Sequence, residues 1–116
     1  MAKFLEFVLE NQDYGILVDN VCKVSQLHDI VRIPQTPRFV LGVTSYGKQI
    51  ITVIDLKCLL GILKAHFARC QLAINIYINH SFYALSTDDI IGVIDVNPQN
   101  VRQISVLGFK LIMLNK

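Results

Sequence analysis

Two kinds of side chain in this sequence could carry chemistry, but neither has the spacing that a catalytic or metal site needs. The neighbouring carboxylates Asp88 and Asp89 could serve as an acid and base, but adjacent residues of a strand point to opposite faces, so a turn is the simpler interpretation. His28, His66 and His80 share no spacing that suits a metal or a nucleophile relay. No glycine-rich phosphate-binding motif occurs. We therefore predict that the chain is not an enzyme and holds no metal and no cofactor.

The cysteines predict neither a disulfide framework nor a zinc site. Cys22, Cys58 and Cys70 are odd in number and include no Cys-x-x-Cys pair. We interpret Cys22 and Cys58 as small core residues and Cys70 as the one that could be exposed. The expected compartment is a reducing cytoplasm. The N-terminal run Met1-Ala2-Lys3-Phe4-Leu5-Glu6 carries a charge inside what would be the apolar core of a signal peptide, so secretion is not expected. No apolar run reaches the roughly 18–20 residues of a membrane-spanning helix, so direct membrane insertion is not expected either.

Composition and charge favour a globular domain. The 116 residues are 53% hydrophobic and 17% charged, which suits a single domain, residues 1–116, with a core of its own. Eleven Lys and Arg against nine Asp and Glu leave a formal charge of +2, and the cations are scattered. Because binding to a phosphate backbone needs clustered cations, no nucleic acid is expected as a partner.

Short β-prone segments separated by turn residues make up most of the chain and predict an all-β fold. Pro34 and Pro37 exclude a helix or a central strand, so their stretch is expected to be an extended crossing loop. Asp55 is expected to cap one short helix, Leu56–Leu60, that ends at Gly61. The predicted strands are Phe4–Leu9, Tyr14–Val18, Phe39–Thr44, Gln49–Ile54, Leu72–Ile78, Phe82–Ser86, Ile90–Val96, Gln103–Leu107 and Phe109–Leu114, with a linker or frayed helix at Ile62–Arg69.

An internal repeat is the most informative feature of the sequence. Residues 7–24 align with residues 76–93 without a gap, at a shift of 69 positions, the difference between Tyr83 and Tyr14. We therefore interpret the chain as two copies of one β unit, roughly 14–68 and 69–116, plus an N-terminal strand at 3–10. The second copy is expected to be smaller, because it lacks a counterpart of the crossing loop and of the helix.

Five motifs are informative as a set: Tyr14-Gly15-Ile16, Asp19-Asn20-Val21, Ile33-Pro34-Gln35-Thr36-Pro37-Arg38-Phe39-Val40-Leu41-Gly42-Val43-Thr44, Ile51-Thr52-Val53-Ile54-Asp55-Leu56 and Ala84-Leu85-Ser86-Thr87-Asp88-Asp89-Ile90-Ile91-Gly92-Val93-Ile94. This set resembles the CheW-like domain family, found in chemotaxis coupling proteins and at the regulatory end of the CheA histidine kinase. The resemblance covers nearly the whole chain. It implies two similar small, SH3-like five-stranded β-barrels packed together, with one short helix after the first barrel.

The resemblance also implies a function and a set of contacts. The function is that of a cytoplasmic chemotaxis adaptor that couples a methyl-accepting receptor to a CheA-type histidine kinase by protein–protein contacts. The receptor is expected in the groove between the two barrels. Tyr46, at a hairpin tip, could anchor an interface or fold back on the barrel. The residues expected to contact the kinase regulatory domain, besides Tyr46, are Val21, Lys23, Gly42, Val43, Gly47 and Lys48.

Two positions depart from the pattern of the family. Where the family usually has Asn-Leu-Arg-Gly, this chain has Ser45-Tyr46-Gly47-Lys48, and where it often has a glutamate, this chain has Lys23. The departures agree with each other, since a lysine that faced the usual arginine would be repelled. Two alternatives follow: a degenerate paralogue that binds a different protein or associates weakly with itself, and a small-barrel nucleic-acid-binding protein.

Overall fold

Strands form nearly all the regular structure of the part of the chain that the computed structural model describes, residues 1–62 and 72–114. His66 and Cys70 lie outside these ranges, as does nearly all of the predicted linker after Ile62. The elements are β1 Ala2–Leu9, β2 Gln12–Leu17, a 3-10 turn Val18–Asn20, β3 Val21–Gln26, β4 Val40–Tyr46, β5 Gln49–Ile54, α1 Leu56–Leu59, β6 Leu72–Ile78, β7 Ser81–Thr87, β8 Asp89–Val96, a 3-10 turn Pro98–Asn100, β9 Arg102–Val106 and β10 Phe109–Leu114.

The predicted repeat is visible in the backbone, because β1–β5 are followed by β6–β10 with matching turns. The turn between β1 and β2 has positive φ at Glu10 (48°) and Asn11 (69°). The turn between β6 and β7 has positive φ at the equivalent Asn79 (52°) and His80 (65°). Two successive left-handed residues are typical of a two-residue hairpin turn. Each copy contributes five strands, so the second copy is shorter only in its connections.

Each of two five-stranded sheets combines strands from both copies. Sheet A has the order β8-β1-β2-β10-β9, and sheet B has the order β3-β6-β7-β5-β4. The first hairpin therefore lies in one sheet with the last three strands. This grouping differs from the predicted halves 14–68 and 69–116, because periodicity shows which face of a strand is buried but not which strand supplies its neighbour.

The sheets are barrel-like, as the predicted all-β fold requires, although no strand pairing closes either of them within the described residues. All pairs of sheet A are antiparallel, whereas β5 and β7 of sheet B pair in parallel. The crossing loop covers part of β4, because Val31 and Val43 exchange two backbone hydrogen bonds of 2.8 Å. Ser25 of β3 and Tyr46 of β4 are also hydrogen-bonded at 2.6 Å, so the two edge strands of sheet B curl towards each other.

The core has three parts. The largest cluster fills the space between the two sheets, and one smaller cluster lies on the other face of each sheet. Burial between the sheets makes the two units one packed body, because apolar area removed from water stabilises their contact. The largest cluster consists of Leu5, Phe7, Leu9, Tyr14, Ile16, Ile54, Leu56, Ile74, Ile76, Leu85, Phe109 and Leu111.

Helix α1 follows the predicted capping pattern. The carboxylate of Asp55 accepts a hydrogen bond of 3.2 Å from the backbone N–H of Cys58, and Gly61 after the helix has φ of 73°. The helix is one turn long, and its Lys57 is buried at 2% exposure. Within the two described ranges, no helix is long and apolar enough to cross a lipid bilayer.

Candidate docking surface

Lys23 and Tyr46 contact each other although they belong to opposite edge strands of sheet B. The Lys23 ammonium lies 3.6 Å from the centroid of the Tyr46 ring, within the range of a cation–π interaction. Tyr46 therefore folds back on the sheet, which is one of the two alternatives that the sequence left open. Lys23 and the Ser45–Lys48 hairpin, the two departures noted in the sequence, are thus in contact with each other.

Two hydrogen bonds that meet at Ser25 hold the Tyr46 side chain in place. Its hydroxyl lies 2.6 Å from the Ser25 hydroxyl, which also accepts a bond of 2.8 Å from the amide nitrogen of Asn75. Asn75 is buried at 2% exposure on β6, between the two strands that carry Ser25 and Tyr46. Because each link lies on a paired strand, the Tyr46 ring is held in one orientation.

The β4–β5 turn presents the second cation of this surface. Gly47 occupies the positive-φ position (58°) with nothing near it that a side chain would meet, and Lys48 follows it, exposed. Glycine suits this position because it adopts left-handed backbone at no steric cost. The turn therefore carries Lys48 into solvent two residues beyond Tyr46.

Three of the predicted contact residues have roles inside the domain. Val21 is half-buried and packs on the core between the sheets. The backbone of Val43 is hydrogen-bonded to Val31 of the crossing loop. Gly42 is buried, and a Cβ atom built there would lie 2.2 Å from the carbonyl oxygen of Val31. The predicted surface is therefore reduced to the exposed Lys23, Gly47 and Lys48 and the half-buried Tyr46, which we call the Lys23–Tyr46 surface.

Two further aromatic rings lie on the same face of sheet B. Tyr77 is 47% exposed, and its ring centroid lies 4.6 Å from that of Phe82. Tyr77 lies two residues after Asn75 on β6 and therefore on the same face of the strand. Phe82 packs against the same apolar cluster as Tyr46. Aromatic rings beside cations have the composition of a protein-binding surface.

The space between the sheets is filled by the core, so the predicted groove is not an open channel there. Two clefts open elsewhere. One, of about 530 Å³, lies on sheet A and is lined by Phe4, Phe109 and Lys110 among others. The other, of about 910 Å³, lies between the crossing loop, with Arg32 and Arg38, and the end of α1.

The residues that could have carried chemistry have structural roles. Asp88 forms an ion pair of 2.7 Å with Lys57, and Asp89 accepts a bond from the N–H of Ile90. Cys22 is exposed, so its assignment to the core was wrong, whereas Cys58 is half-buried. Among the described residues no group of His, Cys, Asp and Glu could hold a metal ion.

Sequence reasoning missed the buried charge cluster around Lys57. The Lys57 ammonium lies 2.9 Å from Glu10 and 2.7 Å from Asp88, and the backbone N–H of Glu10 donates to Asp88 at 2.8 Å. Glu10 lies in the turn between β1 and β2 of sheet A, α1 follows β5 of sheet B, and Asp88 lies between β7 of sheet B and β8 of sheet A. A lysine between apolar residues of a short helix was the available signal, but its acidic partners lie far away in sequence.

Comparison with known proteins gives one consistent result. The CheW-like domain family matches residues 3–112. The chemotaxis protein CheW of Klebsiella aerogenes is 38% identical over 55 residues, 47% of this chain and 33% of that protein. The CheW of Helicobacter pylori is 27% identical over 62 residues, 53% of this chain and 38% of that protein.

A solved structure has the same fold. The crystal structure of the scaffolding protein TtCheW from Thermoanaerobacter tengcongensis matches with a TM-score of 0.76 and 30% sequence identity, over 86% of this chain and 65% of that chain. The predicted resemblance and the predicted fold are confirmed. The chain spans less than two thirds of the length of each of these relatives.

Proposed function

The chain belongs to the CheW-like domain family, and on this premise we propose that it is a chemotaxis scaffold that couples a methyl-accepting receptor to a CheA-type histidine kinase. The observation that carries the proposal is the family match over residues 3–112. As predicted, the family is one of non-enzymatic scaffold proteins. A cytoplasmic location is part of the proposal, and the free thiols of Cys22 and Cys58 suit a reducing compartment.

Two separate surfaces support a bridging role. The Lys23–Tyr46 surface lies on sheet B, whereas the cleft that contains Phe4 and Lys110 lies on sheet A. A scaffold that holds two proteins at once needs two surfaces that do not overlap. We propose the Lys23–Tyr46 surface for the kinase regulatory domain and the sheet A cleft for the receptor.

Paired titrations test the proposal. The chain is titrated separately with a purified CheA-type regulatory domain and with the cytoplasmic fragment of a methyl-accepting receptor. We expect Lys48→Glu to weaken kinase binding alone and Lys110→Glu to weaken receptor binding alone, so that each variant is the control of the other. Equal effects of both variants on both partners would contradict the assignment of surfaces. Absence of binding to either fragment would contradict the function.

The second candidate is a CheW-like paralogue with a different protein partner or with weak self-association. The observation that favours it is Lys23, since a cation there, packed on Tyr46, presents a changed surface to any partner. Sedimentation of the chain alone over a range of concentrations tests self-association. Dimers in sedimentation, together with silence in both titrations, would favour the paralogue.

A further inference from the structure

We propose that Lys23, held by Tyr46, is a preorganised binding point for a carboxylate of a partner protein, with Lys48 as the second cation. The inference rests on the proposed function only in its choice of partner, the kinase regulatory domain. It names the chemistry of the contact: an acidic side chain flanked by apolar residues. Such a segment would place its carboxylate on Lys23 and its apolar neighbours on the aromatic rings.

Lys23 has donors to spare. An ammonium carries three N–H groups, and the contact with the Tyr46 ring satisfies one side of it. Among the described residues, neither Lys23 nor Lys48 forms an ion pair, whereas Lys3 and Lys57 both do. Two exposed cations that form no ion pair within the described ranges create a local positive potential that attracts an acidic partner.

The lysine is also fixed before the partner arrives. Long flexible side chains lose rotamer freedom on binding, and that loss weakens an exposed ion pair. Here the ring of Tyr46 supports the ammonium, and the bonds to Ser25 and Asn75 fix the ring. A carboxylate that binds Lys23 therefore orders less of the surface than one that binds a free lysine.

The neighbouring rings set the apolar half of the site. Tyr77 and Phe82 lie on the same face of sheet B as Tyr46, and Tyr77 remains 47% exposed. Aromatic residues next to a cation are typical of the few residues that dominate binding energy at an interface. The combination fits an acidic and apolar protein segment better than a nucleic acid, which needs a longer row of cations.

The affinity of the kinase regulatory domain for three variants, at low and at high salt, tests the inference. We expect Lys23→Glu to weaken binding about 10-fold at low salt, and less at high salt, because it replaces attraction by repulsion. Tyr46→Leu, which removes the ring, is expected to weaken binding about threefold. The matched control is Arg102→Glu, which reverses an exposed cation of sheet A outside both proposed surfaces and is expected to leave the affinity unchanged. Circular dichroism establishes that each variant is folded.

A charge exchange and a generic probe complete the test. Reversing acidic residues of the kinase domain to lysine one at a time is expected to restore binding to Lys23→Glu at one position. If Lys23→Glu behaves like Arg102→Glu, the inference is overturned while the proposed function stands. If the wild type does not bind the kinase domain, the proposed function fails, and titration with poly-L-glutamate decides the inference. Saturable NMR chemical-shift changes at Lys23 and Tyr46 with poly-L-glutamate, but not with poly-L-lysine, would support the inference. No change of these shifts with poly-L-glutamate would overturn it.

Discussion

Replacement of Lys57 by methionine tests how the two sheets are held together. Methionine keeps the length and apolar stem of lysine but removes the charge. The ammonium is buried, with a side-chain exposure of 3%, and lies 2.9 Å from Glu10 and 2.7 Å from Asp88. Without it, the carboxylates of Glu10 and Asp88 lose the ammonium that both of them contact.

The magnitude follows from burial. Removing one partner of a buried ion pair lowers the free energy of unfolding by about 3–5 kcal/mol, because the other charge stays buried without a compensating charge. The side chains of Glu10 and Asp88 are 40% and 28% exposed, so water can solvate the remaining carboxylates in part. We therefore expect Lys57→Met to lower the free energy of unfolding by about 2–3 kcal/mol, less than the full range.

Urea denaturation followed by circular dichroism measures this loss. With a slope of about 1–3 kcal/mol per molar urea, the midpoint is expected to fall by roughly 1–2 M. Lys110→Met is the matched control, since Lys110 is exposed, and it is expected to change the free energy by less than about 0.5 kcal/mol. Adding Asp88→Asn to Lys57→Met is expected to recover part of the loss by removing one carboxylate. A Lys57→Met midpoint equal to that of Lys110→Met would refute the reasoning.

Three further predictions concern single side chains. Gly42→Ala is expected to destabilise the domain by more than Gly92→Ala does. Both glycines have positive φ (149° and 154°), but only at Gly42 would a Cβ atom meet the backbone of Val31. Equal urea midpoints for the two variants would contradict this close approach. Burial raises the pKa of the Tyr14 hydroxyl above its ordinary 10.0, so the unfolded chain loses this proton first and the free energy of unfolding should fall as pH rises above that value. Tyr14→Phe should make this fall with pH shallower in urea denaturation at alkaline pH. An equally steep fall in the variant would exclude Tyr14 as its source. Tyr46→Phe is expected to cost about 1 kcal/mol in urea denaturation by losing the bond to Ser25 while keeping the ring beneath Lys23, and a loss below about 0.3 kcal/mol would contradict that bond.

Much of the fold could be predicted from local patterns. The cap at Asp55 and the glycine after α1 are local signals, and the structure contains both of them. The repeat predicted two similar units because equal patterns of burial and turns produce equal strands. What local patterns do not contain is which strand pairs with which, so the mixing of both copies in each sheet could not be predicted.

The candidate site could be predicted only in part, for a similar physical reason. Exposure of Lys48 at a turn with Gly47 follows from local sequence, and the structure agrees. The contact between Lys23 and Tyr46 depends on the curl of sheet B, which brings two opposite edges together. The burial of Gly42 likewise depends on where the crossing loop lies, which proline positions alone do not determine.

The most direct measurement of the central claim is formation of a ternary complex. The cytoplasmic fragment of a methyl-accepting receptor is immobilised, and the kinase regulatory domain is passed over it with and without this chain. The coupling function predicts that the kinase domain is retained only when the chain is present and that Lys48→Glu lowers the amount retained. Retention of the chain with the receptor but never with the kinase domain, at saturating concentrations of both, would contradict the claim.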